Sequence, residues 1–262
     1  MEIWHGLLLG IIQGATEFLP ISSSGHLFLA ESWLGLTPDL HFTVSAHVAS
    51  LLAVMLIYRR DVWRMLQGVF VFWHNKDHRH WEDGRLAWQL MFATVCTVGV
   101  ALLIEPYFEH LLAVHWVAGT LIVTGLLIIV AEKFRPKHEN FFTWKLALLL
   151  GLVQGMAIIP GISRSGLTIA LLILLGLNRQ ESARISFLLS IPTILGALVF
   201  ATKDEWGSIG MGSASLAGCI ASFVTAVLAI YWMKALVERH WIWFAPYCLA
   251  LGGGILLWLL LL

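Results

Sequence analysis

Six long, continuous apolar stretches restrict what this chain can fold into. They occupy about residues 42–58, 86–104, 115–131, 183–201, 212–232 and 241–260. Each is close to the roughly 20 residues that an α-helix needs to cross the hydrocarbon core of a bilayer. Because hydrophobicity runs on without alternating, helices are favoured over a membrane β-barrel. Only 12% of the 262 residues are charged, about half the fraction of a soluble domain. The sequence therefore predicts an all-α integral membrane protein.

Two further apolar stretches are broken by polar residues. In the first, the apolar residues 4–19 end at Pro20 and three serines, and a shorter apolar piece, His26–Leu36, follows. Lipid tolerates such a break only where protein or a water-filled cavity satisfies the freed backbone groups. We therefore predict a re-entrant helical hairpin whose polar elbow is buried at membrane depth. A single span over residues 3–19 is the competing interpretation.

The second broken stretch repeats the first. GIIQGATEFLPISSSGHL (10–27) lies over GLVQGMAIIPGISRSGLT (151–168), and the second hairpin is predicted at Trp144–Ile159 and Gly166–Leu177. Each half then contains one hairpin and three spans. An odd number of crossings reverses the second half, which predicts an inverted-topology repeat. The predicted organisation is one membrane domain over 1–262, with repeats at about 1–137 and 140–262.

The basic residues agree with this arrangement. It places both termini on one face of the membrane, and all but two of the 16 lysines and arginines on or beside the other. The exceptions are Lys203, on the face with the termini, and Arg164, in the second elbow. By the positive-inside rule, the basic Arg59–Arg85 loop is predicted to be cytoplasmic and both termini external.

The two elbows differ where chemistry would require a difference. Glu17, Ser23 and His26 of the first elbow lie over Ile158, Arg164 and Leu167 of the second. Opposed hairpins meet near the midplane, where ionisable residues are functional candidates. A hydroxyl beside a carboxylate and an imidazole is an activated nucleophile, while arginine and serine-rich helix starts suit phosphate oxygens. These residues predict a site for a phosphorylated, lipid-accessible substrate. A purely structural Glu17–Arg164 pair is the alternative.

Three segments carry a resemblance to a known family. QGATEFLP, PISSSGHL and PGISRSGLT resemble the signatures of undecaprenyl-pyrophosphate phosphatase, the bacitracin-resistance family. Gln13–Glu17 matches its (Glu/Gln)-x-x-x-Glu motif, and Pro160–Thr168 matches its Pro-Gly-x-Ser-Arg-Ser-x-x-Thr motif. The resemblance extends through FTVSAHVASLLAV and ARISFLLSIPTILGA. One departure is Gln13, where many members have a glutamate, which weakens any two-carboxylate metal site.

The resemblance implies that undecaprenyl pyrophosphate is hydrolysed to undecaprenyl phosphate and inorganic phosphate, recycling the lipid carrier of cell-wall synthesis. The protein would be a multi-pass protein of the bacterial inner membrane, with its site opening to the external face. Catalytic roles are expected for Glu17, Ser23, His26 and Arg164, with Ser22 and Ser24 as alternative nucleophiles to Ser23. The expected phosphate-binding residues are Gln13, Ser22, Ser24, Gly25, Ser163, Ser165 and Thr168.

Cofactors and partners also follow from the resemblance. A divalent cation, Mg²⁺ or Ca²⁺, would be held by Glu17 together with the substrate diphosphate. The expected partners are the polyprenyl diphosphate and membrane lipids. The formal net charge of zero gives no reason to expect nucleic acid. The oligomeric state is left open, with a homodimer among the alternatives.

A transporter or lipid flippase is the main alternative function, because inverted repeats with broken helices are common in transporters. The Ser–His–Glu set confined to one elbow favours the enzyme. Several other histidines and the cysteines are expected to have structural roles. Interfaces or helix packing are expected for His41, His47, His110, His115 and His240. Small core positions are expected for Cys96, Cys219 and Cys248.

Overall fold

The computed structural model describes residues 1–74, 76, 79–136, 140–201 and 212–261. In these ranges the regular secondary structure is helical, as predicted. The α-helices are α1 Ile3–Glu17, α2 Ser23–Leu34, α3 Leu40–Ile57, α4 Arg59–Val71, α5 Trp81–Ile104, α6 Phe108–Leu111, α7 Val114–Lys133, α8 Trp144–Gly155, α9 Arg164–Leu174, α10 Arg179–Ala201, α11 Ser213–Leu236 and α12 Phe244–Leu261. The predicted external link at Lys203–Glu205 falls outside the described residues.

Six described helices are long and apolar enough to cross a membrane, namely α3, α5, α7, α10, α11 and α12. They coincide with the six predicted spans, which confirms a multi-pass membrane protein. The helices flanking the two elbows are shorter. They have 15 residues in α1, 12 in α2, 12 in α8 and 11 in α9. None of these four reaches the roughly 20 residues of a full span.

Helix α4 is a difference from the sequence prediction, which treated Arg59–Arg85 as a polar loop. The helix packs along α5 because two glycines allow close backbone approach. A Cβ atom at Gly68 would lie 2.4 Å from the backbone nitrogen of Gly84. Its exposed apolar side chains are spaced as one helical face, at Trp63, Leu66 and Phe70. A basic helix with such a face is typical of one lying in the membrane interface. Its charges concealed this periodicity.

Glycine stripes join the short helices to the long ones. On α1 the stripe is Gly6, Gly10 and Gly14, and it faces Ala214, Gly218 and Ser222 of α11. A Cβ at Gly10 would lie 2.1 Å from the carbonyl oxygen of Gly218. Likewise, a Cβ at Gly151 of α8 would lie 2.3 Å from the carbonyl oxygen of Ala93 on α5. Small residues at four-residue spacing let membrane helices pack at close range. These contacts fix the ends of α1 and α8, from which the elbows project.

Apolar packing holds the first elbow in the centre of the bundle. Phe18, Leu19 and Ile21 belong to the main buried cluster, together with residues of α3, α9, α10 and α11. The Phe18 ring contacts Phe187 of α10 edge-on, with 5.5 Å between ring centroids. Ser22, which follows this apolar segment, is therefore buried, whereas Ser24 is exposed.

Candidate functional site

Both elbows end in a serine that caps the next helix. Ser22 accepts a hydrogen bond from the backbone N–H of Gly25 at 3.2 Å, and Ser163 accepts one from Gly166 at 3.0 Å. Helices α2 and α9 begin directly after these caps, at Ser23 and Arg164 instead of the predicted His26 and Gly166. Unsatisfied N–H groups and the helix dipole make such helix starts favourable for anions. Two anion-favouring helix ends thus belong to the paired elbows.

Glu17 is the centre of the polar cluster, and it joins the two elbows. Its Oε1 accepts a hydrogen bond from Arg164 Nη2 at 2.6 Å. Its Oε2 accepts bonds from Ser23 Oγ at 2.6 Å and from Gln13 Nε2 at 2.9 Å. The Nε2 atom of His47 lies 3.5 Å from the same oxygen. Glu17 is only 7% exposed, so burial strengthens its dependence on these partners.

The three serines of the first elbow have different environments. Ser23 Oγ donates to Glu17, whereas Ser22 Oγ serves as the helix cap and lies 3.3 Å from Ser24 Oγ. Ser22 has φ +70°, a left-handed conformation that is costly outside glycine. Strained residues of this kind cluster at functional sites. The turn at Ser22 directs the next hydroxyl, that of Ser23, at the carboxylate.

The second elbow contributes its arginine to the cluster and buries its other hydroxyls. Arg164 Nη1 donates to the Ser186 carbonyl at 3.3 Å. Ser165 Oγ donates to the Leu19 carbonyl at 2.8 Å, which ties the two elbows together. Thr168 Oγ1 donates to the Arg164 carbonyl at 2.8 Å. Ser165 and Thr168, both predicted to bind phosphate, therefore lie behind the arginine and support it.

His26, which was predicted to be catalytic, has both ring nitrogens engaged away from Glu17. Its Nδ1 lies 2.7 Å from the Ser22 carbonyl oxygen, and its Nε2 lies 2.6 Å from the hydroxyl of Tyr247 on α12. The two rings are stacked, with centroids 5.8 Å apart. In this geometry His26 contacts the strained residue that precedes Ser23, but it does not contact Ser23 or Glu17 directly.

His47 is the site residue that sequence reasoning missed. Its Nδ1 donates to the Thr43 carbonyl at 2.8 Å, so Nε2 is directed at Glu17. The sequence interpretation assigned this histidine to helix packing. An ionisable residue in the middle of an apolar span was the available signal. The signal was not decisive, because the partner, Glu17, lies on another helix.

A cavity of about 430 Å³ opens beside the cluster. Its polar lining consists of Glu17, Ser23, Ser24, His47, Thr97, Glu105, Gln154, Ser163, Arg164 and Thr193. Its apolar walls are formed by α5, by α10 and by Ala157, Ile158 and Ile162 of the second elbow. Gln154 donates to Thr97 Oγ1 at 2.9 Å and to Thr193 Oγ1 at 3.1 Å, while its buried Oε1 has no hydrogen-bond partner in the structure. The cavity thus combines charge, hydroxyl groups and a free acceptor with an apolar wall.

The residues around Glu17 offer few oxygens to a metal ion. Among the described residues, no group of three or more His, Cys, Asp or Glu side chains is placed to hold one. One neutral oxygen is available, because Gln13 Oε1 is buried and has no hydrogen-bond partner in the described part of the chain. Mg²⁺ and Ca²⁺ accept carboxylate and amide oxygens and commonly take the rest of their ligands from substrate phosphates and water. The donor set therefore fits a hard cation shared with a phosphorylated substrate.

Known proteins with similar sequences cover almost the whole chain. The family described as "Bacitracin resistance protein BacA" matches residues 6–254. An undecaprenyl-diphosphatase of Alteromonas mediterranea is 40% identical over 271 residues, covering 98% of each chain. One from Corynebacterium glutamicum is 35% identical, covering 97% of this chain and 89% of its own. One from Methanobrevibacter smithii is 36% identical and covers 96% of each.

Proposed function

The chain belongs to the BacA family of bacitracin resistance proteins, and we propose that the Glu17 cluster is its catalytic site for hydrolysing undecaprenyl diphosphate. The products are undecaprenyl phosphate, the recycled lipid carrier of cell-wall synthesis, and inorganic phosphate. The observation that carries the assignment is that Glu17 accepts a hydrogen bond from Ser23 on one oxygen and from Arg164 on the other. The nucleophile Ser23, its proton acceptor Glu17 and the phosphate-binding guanidinium of Arg164 are therefore in direct contact.

Phosphate release by the purified protein tests this function. Wild-type protein in detergent should release inorganic phosphate from undecaprenyl diphosphate, and parallel reactions with EDTA would reveal a divalent-cation requirement. Protein that released none under either condition, but exchanged polyprenyl phosphate between the leaflets of vesicles, would instead be a flippase.

In the proposed reaction Ser23 Oγ attacks the terminal phosphorus of the diphosphate. Its proton passes to Glu17 Oε2 and from there to solvent, the anhydride P–O bond breaks, and undecaprenyl phosphate leaves with the electron pair of that bond. Water then hydrolyses the phosphoserine and releases inorganic phosphate, which restores the serine hydroxyl. Ser22 and Ser24 remain the alternative nucleophiles. Ser23 is favoured because the hydroxyl of Ser22 is used as a helix cap and that of Ser24 contacts Ser22.

Charge stabilisation in this scheme comes from the second elbow and the two helix starts. Arg164 carries five N–H donors, of which two make the bonds to Glu17 and Ser186. Donors therefore remain for the phosphate oxygens, and Ser24 can add its hydroxyl, whereas the Gly25 N–H and the Ser163 hydroxyl are engaged in the two helix caps. Preorganised donors aimed at developing negative charge are the usual large term in phosphoryl transfer. Gln13, Ser165 and Thr168 support this arrangement by holding Glu17 and the second elbow.

A divalent cation remains part of the proposal. Glu17 and Gln13 Oε1 would hold it together with the diphosphate, where it would neutralise phosphate charge. The residue-based steps above do not depend on it.

The proposal includes the inverted-topology repeat. Helices α1, α2, α3, α5 and α7 would correspond in order to α8, α9, α10, α11 and α12. An exchange of partners supports this, since α1 packs on α11 of the second half and α8 packs on α5 of the first. The short lengths of α1, α2, α8 and α9 support re-entrant hairpins. Both termini would then be external, and the cavity would open to the external face beside Glu105.

Cysteine labelling in intact cells tests this orientation. In a cysteine-free background, Tyr107→Cys should react with a membrane-impermeant maleimide, because it follows α5 on the proposed external face. Arg79→Cys, in the basic loop, should react only after the membrane is permeabilised. Both positions are exposed, so accessibility is matched. Labelling of Arg79→Cys in intact cells would contradict the orientation and the opposed hairpins.

Alanine variants of the two histidines should separate their roles. His26→Ala should fold but release phosphate roughly 10²-fold more slowly, since an imidazole in acid–base or orienting work contributes about that much. Loss of the contact to the Ser22 carbonyl is the expected cause. His47→Ala is the comparison, because His47 approaches Glu17 itself. Normal turnover in His26→Ala with a large loss in His47→Ala would transfer the imidazole's role to His47.

A further inference from the structure

The cavity next to Glu17 has a wall that is apolar and incomplete. Val98, Ala101 and Leu102 of α5 and Ile194 and Ala197 of α10 line it. Val98 and Leu102 are nevertheless 43% and 50% exposed, so the described residues leave the cavity open along this side. Both lie inside Trp81–Tyr107, one of the six candidate spans. If α5 crosses the membrane over this range, the opening between α5 and α10 faces the hydrocarbon of the bilayer.

The corresponding position beside the first hairpin is closed. If the two halves are related as proposed, the counterpart of the α5–α10 pair is α11–α3. There the buried ring of Phe42 packs so tightly that a Cβ at Gly218 would lie 2.4 Å from it. Ser222 of α11 also donates to the Ala46 carbonyl of α3 at 2.8 Å. On the open side, a Cβ at Gly196 of α10 would meet no atom of the described residues within 4 Å.

The size of the cavity limits what it can hold. A volume of about 430 Å³ is near the lower end of pockets for drug-sized ligands. The diphosphate and the first part of a polyprenyl chain would fill it, and the rest of so long a chain must lie elsewhere. An apolar chain is stable in lipid, so a lateral opening lets the remainder stay in the bilayer.

We propose that the cleft between α5 and α10 is the binding groove for the phosphate-proximal prenyl units, through which the lipid enters sideways from the membrane. The occupant is the tail of the substrate, because the groove is continuous with the phosphate-binding cluster and is lined by aliphatic side chains. This inference rests on the proposed function and adds to it the route and the contacts of the lipid.

Filling the groove with a side chain tests the inference. Gly196→Phe should lower kcat/KM for undecaprenyl diphosphate by about tenfold or more, mainly through KM, because the ring would occupy the space of the first prenyl units. Gly99→Phe is the matched control, since Gly99 lies on α5, is exposed, has no atom within 4 Å of a Cβ, and does not line the cavity. That variant should stay within about twofold of wild type. Wild-type kcat/KM in folded Gly196→Phe would overturn the groove.

Photocrosslinking of the unaltered protein provides a second measurement, independent of whether Gly196→Phe folds. A prenyl diphosphate with a diazirine on its first prenyl unit should label peptides that contain 98–102 and 194–197. Label confined to α3, α11 or α12 would overturn the inference. If the wild-type protein hydrolyses the lipid but the probe labels neither α5 nor α10, the proposed groove is wrong and the proposed function stands. Failure to release phosphate would remove the proposed function itself.

Discussion

Ser23→Ala is expected to yield folded protein that binds undecaprenyl diphosphate but releases phosphate at least about 10³-fold more slowly than wild type. The reason is the loss of the attacking hydroxyl. The hydroxyl is small and donates its hydrogen bond to a carboxylate that keeps Arg164 and Gln13 as partners. Its removal should therefore have little effect on folding. The measurements are the initial rate of phosphate release, lipid binding and thermal unfolding in the same detergent.

Ser24→Ala is the natural comparison for Ser23→Ala. Both side chains line the cavity, but the Ser24 hydroxyl contacts Ser22 instead of Glu17. Losing one hydrogen bond to phosphate should reduce turnover by about tenfold or less. An active Ser23→Ala protein would transfer the attack to another serine or to water. If Ser24→Ala had no phosphatase activity while Ser23→Ala remained active, Ser24 would be identified as the nucleophile.

Arg164→Lys is expected to lower turnover by about 10²-fold or more, although it keeps the positive charge. Lysine cannot reproduce the planar fork that engages Glu17 and the Ser186 carbonyl while presenting further donors to phosphate. The same variant should stay close to wild type in thermal stability, because an ammonium group can still pair with the carboxylate. Near-normal turnover of Arg164→Lys would show that Arg164 contributes only its positive charge and not its planar geometry.

A charge-deletion cycle distinguishes this catalytic role from a purely structural Glu17–Arg164 pair. Arg164→Met leaves a buried carboxylate without its cation and should cost about 3–5 kcal/mol of stability. Adding Glu17→Gln should restore much of that stability. If the pair is only structural, the restored double variant should also regain phosphatase activity. If the pair is catalytic, the double variant should remain inactive however well it folds.

Local sequence was sufficient for most of the fold. The six spans follow from the length of their apolar runs, and their bounds differ from prediction by only a few residues. Helix α4 was missed because three arginines and an aspartate lie among its apolar residues, and charge content outweighed periodicity. The starts of α2 and α9 were placed too late, although the caps at Ser22 and Ser163 were legible as helix-start residues.

Contacts between distant segments were harder to predict. The meeting of Glu17 with Arg164 could be anticipated because the repeat pointed to two complementary elbows, and the structure joins them. The pairing of His26 with Tyr247 could not, since it depends on how α12 packs beside α2. For the same reason His47 was assigned to packing, because nothing in its own helix reveals that Glu17 is its neighbour.

The glycine stripe of α1 has a consequence for biogenesis. The ribosome makes α1 long before its close partner α11. Until α11 is inserted, the glycine stripe of α1 lacks the helix on which it packs closely. Every nascent chain truncated before α11 should therefore be catalytically silent. Co-expressed fragments that divide the chain between α7 and α8 should regain activity only by associating, since each supplies the helix on which the other's hairpin packs.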